Sequence, residues 1–109
     1  MSKICELHDT AMDIMNEAIA LQEHGNSYDA CAKFLYACEL ESESAYLVDK
    51  NSESEPSRGM LFLSAASLAW RAGDYEQAEC LVQEGLNGYP TEKIRMELCR
   101  LYDEIKDRN

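Results

Sequence analysis

Helical periodicity runs through nearly the whole of this chain. In the first segment, apolar residues recur every three or four positions, at Ile4, Leu7, Ala11, Ile14, Ala18 and Leu21. Residues with this spacing lie on one face of an α-helix. Two glycines, Gly25 and Gly73, interrupt the pattern, and glycine readily adopts the left-handed conformation that ends a helix. No stretch shows the alternation typical of a β-strand, so the sequence predicts an all-α fold with five helices.

The pattern around these glycines is repeated after 48 residues, the separation of Gly25 and Gly73. With that shift, small residues align with small ones and large apolar residues with large ones. The aligned pairs are Ile14/Phe62, Ala18/Ala66, Leu21/Ala69, Asn26/Asp74, Ala30/Ala78, Phe34/Val82, Ala37/Gly85 and Cys38/Leu86. How closely two packed helices approach depends on the size of the side chains at their contact. We therefore interpret the two stretches as copies of one helical hairpin.

Breaks in the pattern divide the chain into parts. Asp74 is predicted to cap the fourth helix, and Pro56 is predicted to stand at the start of the third. We expect one helical domain, residues 1–109, with a first hairpin (1–48), an acidic loop (49–56), a second hairpin (57–90) and a C-terminal capping helix (91–109). The last helix has one apolar seam and a charged opposite face, as expected of a helix that shields the end of a repeat array from water.

The second hairpin contains the run GDYEQA and ends at a proline. The motif within Gly59–Pro90 consists of Phe62, Ala66, Gly73, Asp74, Tyr75, Ala78, Val82, Gly85 and Pro90. With these residues the hairpin resembles the tetratricopeptide repeat (TPR) family. The first hairpin, from Ala11 to about Ser44, matches at Ala18, Gly25, Ala30, Phe34 and Ala37. The resemblance implies two TPR-like antiparallel hairpins in a right-handed α–α superhelix. The family's period is about 34 residues, so the longer offset predicts an elongated second helix and an added loop.

The resemblance also implies a partner-binding groove on the concave face, lined by the first helix of each hairpin. Matched position by position, the groove would comprise Met12, Met15, Asn16, Ile19, Met60, Leu63, Ser64, Ser67, Trp70 and Arg71. Methionine side chains adapt to varied partners. The expected function is a non-catalytic protein–protein interaction module, an adaptor or scaffold that binds a partner peptide or helix. For Met15 and Ile19, core packing is the competing interpretation, and Trp70 fits either role.

Three alternatives stay open. One is a small acidic chaperone-like TPR protein that shields an apolar or basic partner, and another is an accessory subunit of an enzyme complex. Two repeats are fewer than the three that a repeat array normally needs for stability. Self-association into a homodimer is therefore also open.

The net charge of the chain limits the classes of partner that it is expected to bind. The formal net charge is -11, with 21 acidic and 10 basic residues. Nucleic acids and anionic membranes both attract basic surfaces, so neither is expected as a partner. A protein or peptide partner is expected to be basic or apolar. The sequence contains no long apolar run, and we expect a cytoplasmic protein whose five cysteines are reduced and buried: Cys5, Cys31, Cys38, Cys80 and Cys99.

Residues suited to catalysis or metal binding are sparse. Cys5 and His8 are one helical turn apart, but a structural zinc site needs four ligands and no second pair follows. We expect Cys5 to face the core and His8 to face solvent. Glu41 and Glu43 stand on a polar stretch, where carboxylates are expected to stay solvated. The sequence predicts no catalytic residue, metal site, cofactor or enzymatic activity.

One segment, ESESAYLVDKNSESEPS, is biased toward acids and serine. The simplest interpretation is a hydrated loop, because such a composition cannot contribute much to a packed core. The alternatives are a docking site for a basic partner and a phosphorylation target. Docking by charge would weaken at high salt.

Overall fold

The computed structural model describes residues 2–108. Its five α-helices are α1 (Lys3–Glu23), α2 (Ser27–Leu47), α3 (Ser57–Arg71), α4 (Tyr75–Leu86) and α5 (Glu92–Asp107). A single turn of 3-10 helix (Ser52–Ser54) precedes α3. No strand occurs in residues 2–108, and the predicted all-α fold with five helices is confirmed.

Consecutive helices pack against each other in antiparallel pairs. Between α1 and α2, Glu17 pairs with Lys33 and His8 pairs with Glu41, so residue numbers rise along one helix as they fall along the other. The same relation holds between α2 and α3, between α3 and α4, and between α4 and α5. It follows that α1, α3 and α5 run in one direction, and α2 and α4 in the other.

The three parallel helices share one face of the molecule, where side chains from all of them line a common groove. Behind them, α2 and α4 meet around Tyr46, Cys80 and Glu84. The last helix, α5, packs on both α3 and α4 and buries Leu98 completely. This helix, the last of the five, is therefore a structural part of the grooved face.

The turns between α1 and α2 and between α3 and α4 have the same geometry. Gly25 and Gly73 adopt φ values of 81° and 83°, in the left-handed region that favours glycine. The residue after each glycine donates its backbone N–H to the carbonyl oxygen five residues earlier, at 2.9 Å in both turns. This is the pattern that ends a helix at a left-handed glycine. The residues four positions after the cap, Ala30 and Ala78, are both buried.

Small residues set the helix spacing in the second hairpin. A Cβ atom at Gly85 would lie 3.0 Å from the Cβ of Phe62 and 3.2 Å from a methyl group of Leu98. Its counterpart in the first hairpin, Ala37, is also fully buried. Close approach of α4 to α3 and α5 therefore depends on the absence of a side chain at this position.

The cap of α4 gives a local test of this fold. The Asp74 carboxylate accepts the backbone N–H of Gln77 at 3.2 Å, whereas the equivalent Asn26 makes no side-chain cap bond. We expect Asp74→Ala to lower the free energy of unfolding by about 1 kcal/mol. The matched Asn26→Ala variant should change it by less. Urea denaturation followed by circular dichroism measures both values, and equal losses would contradict the assigned cap.

The biased segment is only partly a loop. Its first half, through Leu47, belongs to α2, and only residues 48–56 connect α2 to α3. Ser44 is fully buried and donates its hydroxyl to the carbonyl oxygen of Ile4 at 3.0 Å. The prediction of a hydrated loop is therefore wrong for residues 41–47, because the buried face of α2 continues through them at Glu41, Ser44 and Ala45. Helix α3 begins at Ser57, one residue after Pro56.

The cysteines are less buried than predicted. Cys38 is buried and Cys31 is half-buried, but Cys5, Cys80 and Cys99 are exposed, and all five thiols are free. Each of the three exposed cysteines lies beside the apolar stripe of its helix and not on it. Among the described residues, no helix combines the length and apolar character needed to span a membrane.

Candidate functional site

A groove lies between α1, α3 and α5, with a volume of about 460 Å³. We call it the central groove. Its lining residues are Met15, Ile19, Ser64, Ser67, Leu68, Trp70, Arg71, Leu101 and Glu104. Apolar side chains form most of the lining, and Arg71 and Glu104 add one charge of each sign. This composition is typical of a recognition site, in which apolar surface contributes affinity and a few polar groups set the orientation.

Six of the ten predicted groove residues line the central groove: Met15, Ile19, Ser64, Ser67, Trp70 and Arg71. Met60 lines a neighbouring pocket, which Ser64 also borders. Met12 and Leu63 are half-buried and pack on the core, while Asn16 is exposed; none of these three lines either cavity. The structure thus brings together the residues of α1 and α3 that face each other across the groove.

Met15, Ile19 and Trp70 each combine core packing with a place in the lining of the groove. All three side chains are half-buried, and they pack on the core with one side while lining the groove with the other. The indole Nε1 of Trp70 is buried and has no hydrogen-bond partner in residues 2–108. A buried donor without a partner carries a desolvation cost of about 1–3 kcal/mol.

Helix α5 forms a wall of the central groove that was not predicted from the sequence. Leu101 and Glu104 face the groove one helical turn apart, and Leu68 of α3 completes the floor. The helix was expected only to cap the array. Its amphipathic pattern indicates that one face is buried, but the pattern alone does not distinguish contact with α4 from contact with both α3 and α4.

A second cavity, also about 460 Å³, lies between the N-terminal halves of α1 and α3. We call it the His8 pocket. Its lining residues are Ile4, Cys5, His8, Asp9, Glu41, Ser57, Met60, Leu61 and Ser64. Since Ser64 borders both cavities, the His8 pocket continues the central groove toward the start of α3.

A hydrogen bond between His8 and Glu41 forms one side of the His8 pocket. The Glu41 side chain is 0% exposed, and its two oxygens lie 2.9 and 3.0 Å from Nδ1 of His8. The predictions that Glu41 is solvated and that Cys5 faces the core are wrong. Glu41 continues the buried row of Phe34 and Ala37, so the spacing of α2 could have placed it inside. His8 is 40% exposed at its side chain, partly as predicted.

The surroundings of the buried Cys38 thiol disfavour nucleophilic chemistry. Burial raises the pKa of this thiol, and the neutral S–H donates to the carbonyl oxygen of Ala65 at 3.3 Å. Nucleophilic cysteines need the opposite, a lowered pKa that favours the thiolate. Cys38 is thus a structural donor between α2 and α3.

Arg58 is a buried charged residue, 3% exposed, whose contacts lie within the packed helices. Its guanidinium lies 4.7 Å above the ring of Phe62 and donates to Glu84 at 3.1 Å. These contacts connect α3 to α4 on the side away from the grooved face. In residues 2–108, no group of three or more His, Cys, Asp or Glu side chains is arranged to hold a metal ion.

No protein-family model, no curated protein and no solved structure matches this chain. Its function is therefore inferred from the grooved face itself.

Proposed function

We propose that this chain is a non-catalytic protein–protein interaction module, a TPR-like adaptor or scaffold. It binds an apolar, basic segment of a partner protein along α3. The proposal rests chiefly on the two cavities along α3, the central groove and the His8 pocket, which share Ser64. The first is lined by α1, α3 and α5, and the second by α1, α2 and α3.

The size of this surface suits a peptide or a short helix. Helix α3 has 15 residues, so it is about 22 Å long, and the two cavities extend along it from Ser57 to Arg71. A helical ligand of about four turns has the same length. Recognition of an amphipathic helix in a groove uses apolar anchors spaced along one face.

The lining favours adaptable apolar contacts. Met15 and Met60 present flexible thioether side chains to the ligand. The half-buried ring of Trp70 adds an aromatic surface to the central groove. Aromatic residues in such positions commonly dominate the binding energy of an interface.

The charge of the surface favours a basic ligand. Asp9, Glu41 and Glu104 contribute carboxylates to the two cavities, against the single guanidinium of Arg71. The whole chain has a formal charge of -11. A field of that sign speeds the association of a basic partner and disfavours acidic ones. We also propose a cytoplasmic location, since five free thiols suit a reducing compartment.

Peptide selection tests the proposed function. We expect a library of random 15-residue peptides, displayed on phage and selected against the wild-type chain, to yield sequences with apolar anchors and Lys or Arg. For a synthetic selected peptide, Trp70→Ala and the groove-filling Ser67→Arg should each weaken binding by roughly tenfold or more in calorimetry.

Tyr28→Ala is the matched control for these variants, because Tyr28 is 88% exposed on α2 and lines neither cavity. Its affinity should equal that of the wild type. Circular dichroism checks that each variant is folded. Peptides that bind all four proteins equally would contradict recognition in the groove.

A further inference from the structure

We propose that the His8 pocket is a socket for a guanidinium group, the head of an arginine side chain on the bound partner. This inference rests on the proposed function, because it names the chemistry of one anchor of the ligand. Its ligand class is an alkylguanidinium cation, and its polar centre is the buried carboxylate of Glu41.

Glu41 has unused capacity to accept hydrogen bonds. A carboxylate offers about four lone-pair positions on its two oxygens. In the described part of the chain, its only hydrogen-bond donor is Nδ1 of His8, which both oxygens share. A buried polar group normally finds more partners than this. The planar guanidinium presents two parallel N–H groups whose spacing suits the two oxygens of a carboxylate.

The charges around the pocket select for a cation. On α1, His8, Asp9 and Cys5 face the pocket, and α2 contributes Glu41. From α3, only neutral side chains line it: Ser57, Met60, Leu61 and Ser64. Two carboxylates therefore face one imidazole, and an entering cation meets no Lys or Arg. Asp9 is exposed at the rim, where it can pair with the same cation.

The walls fit the stem of an arginine. Ile4, Met60 and Leu61 add apolar surface to the lining of the pocket, and long basic side chains bury their methylene groups along such surface. Guanidinium is also more weakly hydrated than the ammonium of lysine, so it loses less on leaving water for a partly buried site. These features favour arginine over lysine.

A small-molecule titration tests the socket without any peptide. The probe is n-butylguanidinium, and n-butylurea is its neutral control of nearly the same shape. In ¹H–¹⁵N and methyl NMR spectra, we expect n-butylguanidinium to cause saturable shifts at His8, Met60 and Leu61. The affinity should be of millimolar order. Binding of n-butylurea should be at least roughly tenfold weaker.

Three variants locate the binding. Glu41→Gln keeps the shape of the side chain but loses its charge, and it should abolish the saturable shifts. Asp9→Asn changes an exposed residue and should weaken binding by roughly threefold while the fold is kept. Asp13→Asn is the matched control on the same helix, because Asp13 is exposed and does not line the pocket. Its affinity should equal that of the wild type.

Several outcomes would overturn the socket. In the titration, these are n-butylurea binding as tightly as n-butylguanidinium, shifts that do not saturate, and shifts centred on acidic residues elsewhere on the surface. Among the variants, it is an unchanged affinity for n-butylguanidinium in both Glu41→Gln and Asp9→Asn. Failure of the socket is distinct from failure of the proposed function. Selected peptides that depend on Trp70 support the groove even if n-butylguanidinium does not bind. Saturable binding of n-butylguanidinium supports the socket even if no peptide is selected.

Discussion

Phe62→Ala is expected to lower the free energy of unfolding by about 3–5 kcal/mol. Phe62 is fully buried where three helices meet. Its ring packs edge-on against Tyr46 of α2, at 5.0 Å between centroids, and lies under the guanidinium of Arg58. Its Cβ lies against Gly85 of α4. Truncation therefore leaves a cavity that rigid helices on two sides cannot close. Urea denaturation followed by circular dichroism measures the loss.

Met60→Ala is the matched control for this variant, since Met60 is on the same helix and 52% exposed. We expect its free energy of unfolding to fall by less than about 1 kcal/mol. Similar losses for the two variants would contradict the placement of Phe62 at the centre of the core.

His8→Ala is expected to lower the free energy of unfolding by about 2–3 kcal/mol, because it leaves the buried carboxylate of Glu41 without a hydrogen-bond donor. The expected loss is at the low end for a broken buried pair, since His8 is 40% exposed and water can reach the vacated space. Adding Glu41→Leu to His8→Ala should recover most of the loss, because the stranded charge is then absent.

His24→Ala is the matched control, as His24 is exposed just after α1 and its side chain bonds to the carbonyl oxygen of Ala20 in its own turn. Its effect should stay below about 0.5 kcal/mol. If His8→Ala lowered the free energy of unfolding as little as His24→Ala does, the pairing of His8 with Glu41 would not hold in solution. A double variant less stable than His8→Ala alone would likewise contradict the stranded-charge explanation.

Interactions between residues close in sequence explain the features of the fold that were predicted correctly. Apolar spacing places the buried stripe of α1, and the aligned small residues Ala30 and Ala78 are buried in both hairpins. The cap at Asp74 and the left-handed turn at Gly73 follow from the chemistry of single residues. Such features depend on interactions within about four residues, so a sequence pattern suffices to predict them.

The predictions for Glu41 and Cys5 were wrong because they followed the type of the residue and not its position on the helix. Glu41 was predicted to be solvated because it is a carboxylate in an acidic run, yet its spacing from Phe34 and Ala37 places it on the buried face of α2. Cys5 was predicted to be buried because cysteine often is, yet it lies off the stripe of α1. Helical position outweighs residue type where a neighbouring side chain, here His8, provides a hydrogen-bond partner for a buried polar group.

By itself, the sequence determined the five helices, the left-handed turns at Gly25 and Gly73, and most of the apolar residues that the helices bury. Tertiary structure alone decided which faces meet. The pairing of His8 with Glu41 joins residues 33 positions apart, and the wall formed by Leu101 and Glu104 exists because α5 docks on α3 as well as α4. Periodicity is a property of one helix, whereas a groove is a property of the spacing between helices, which the volumes of all the contacting side chains set together.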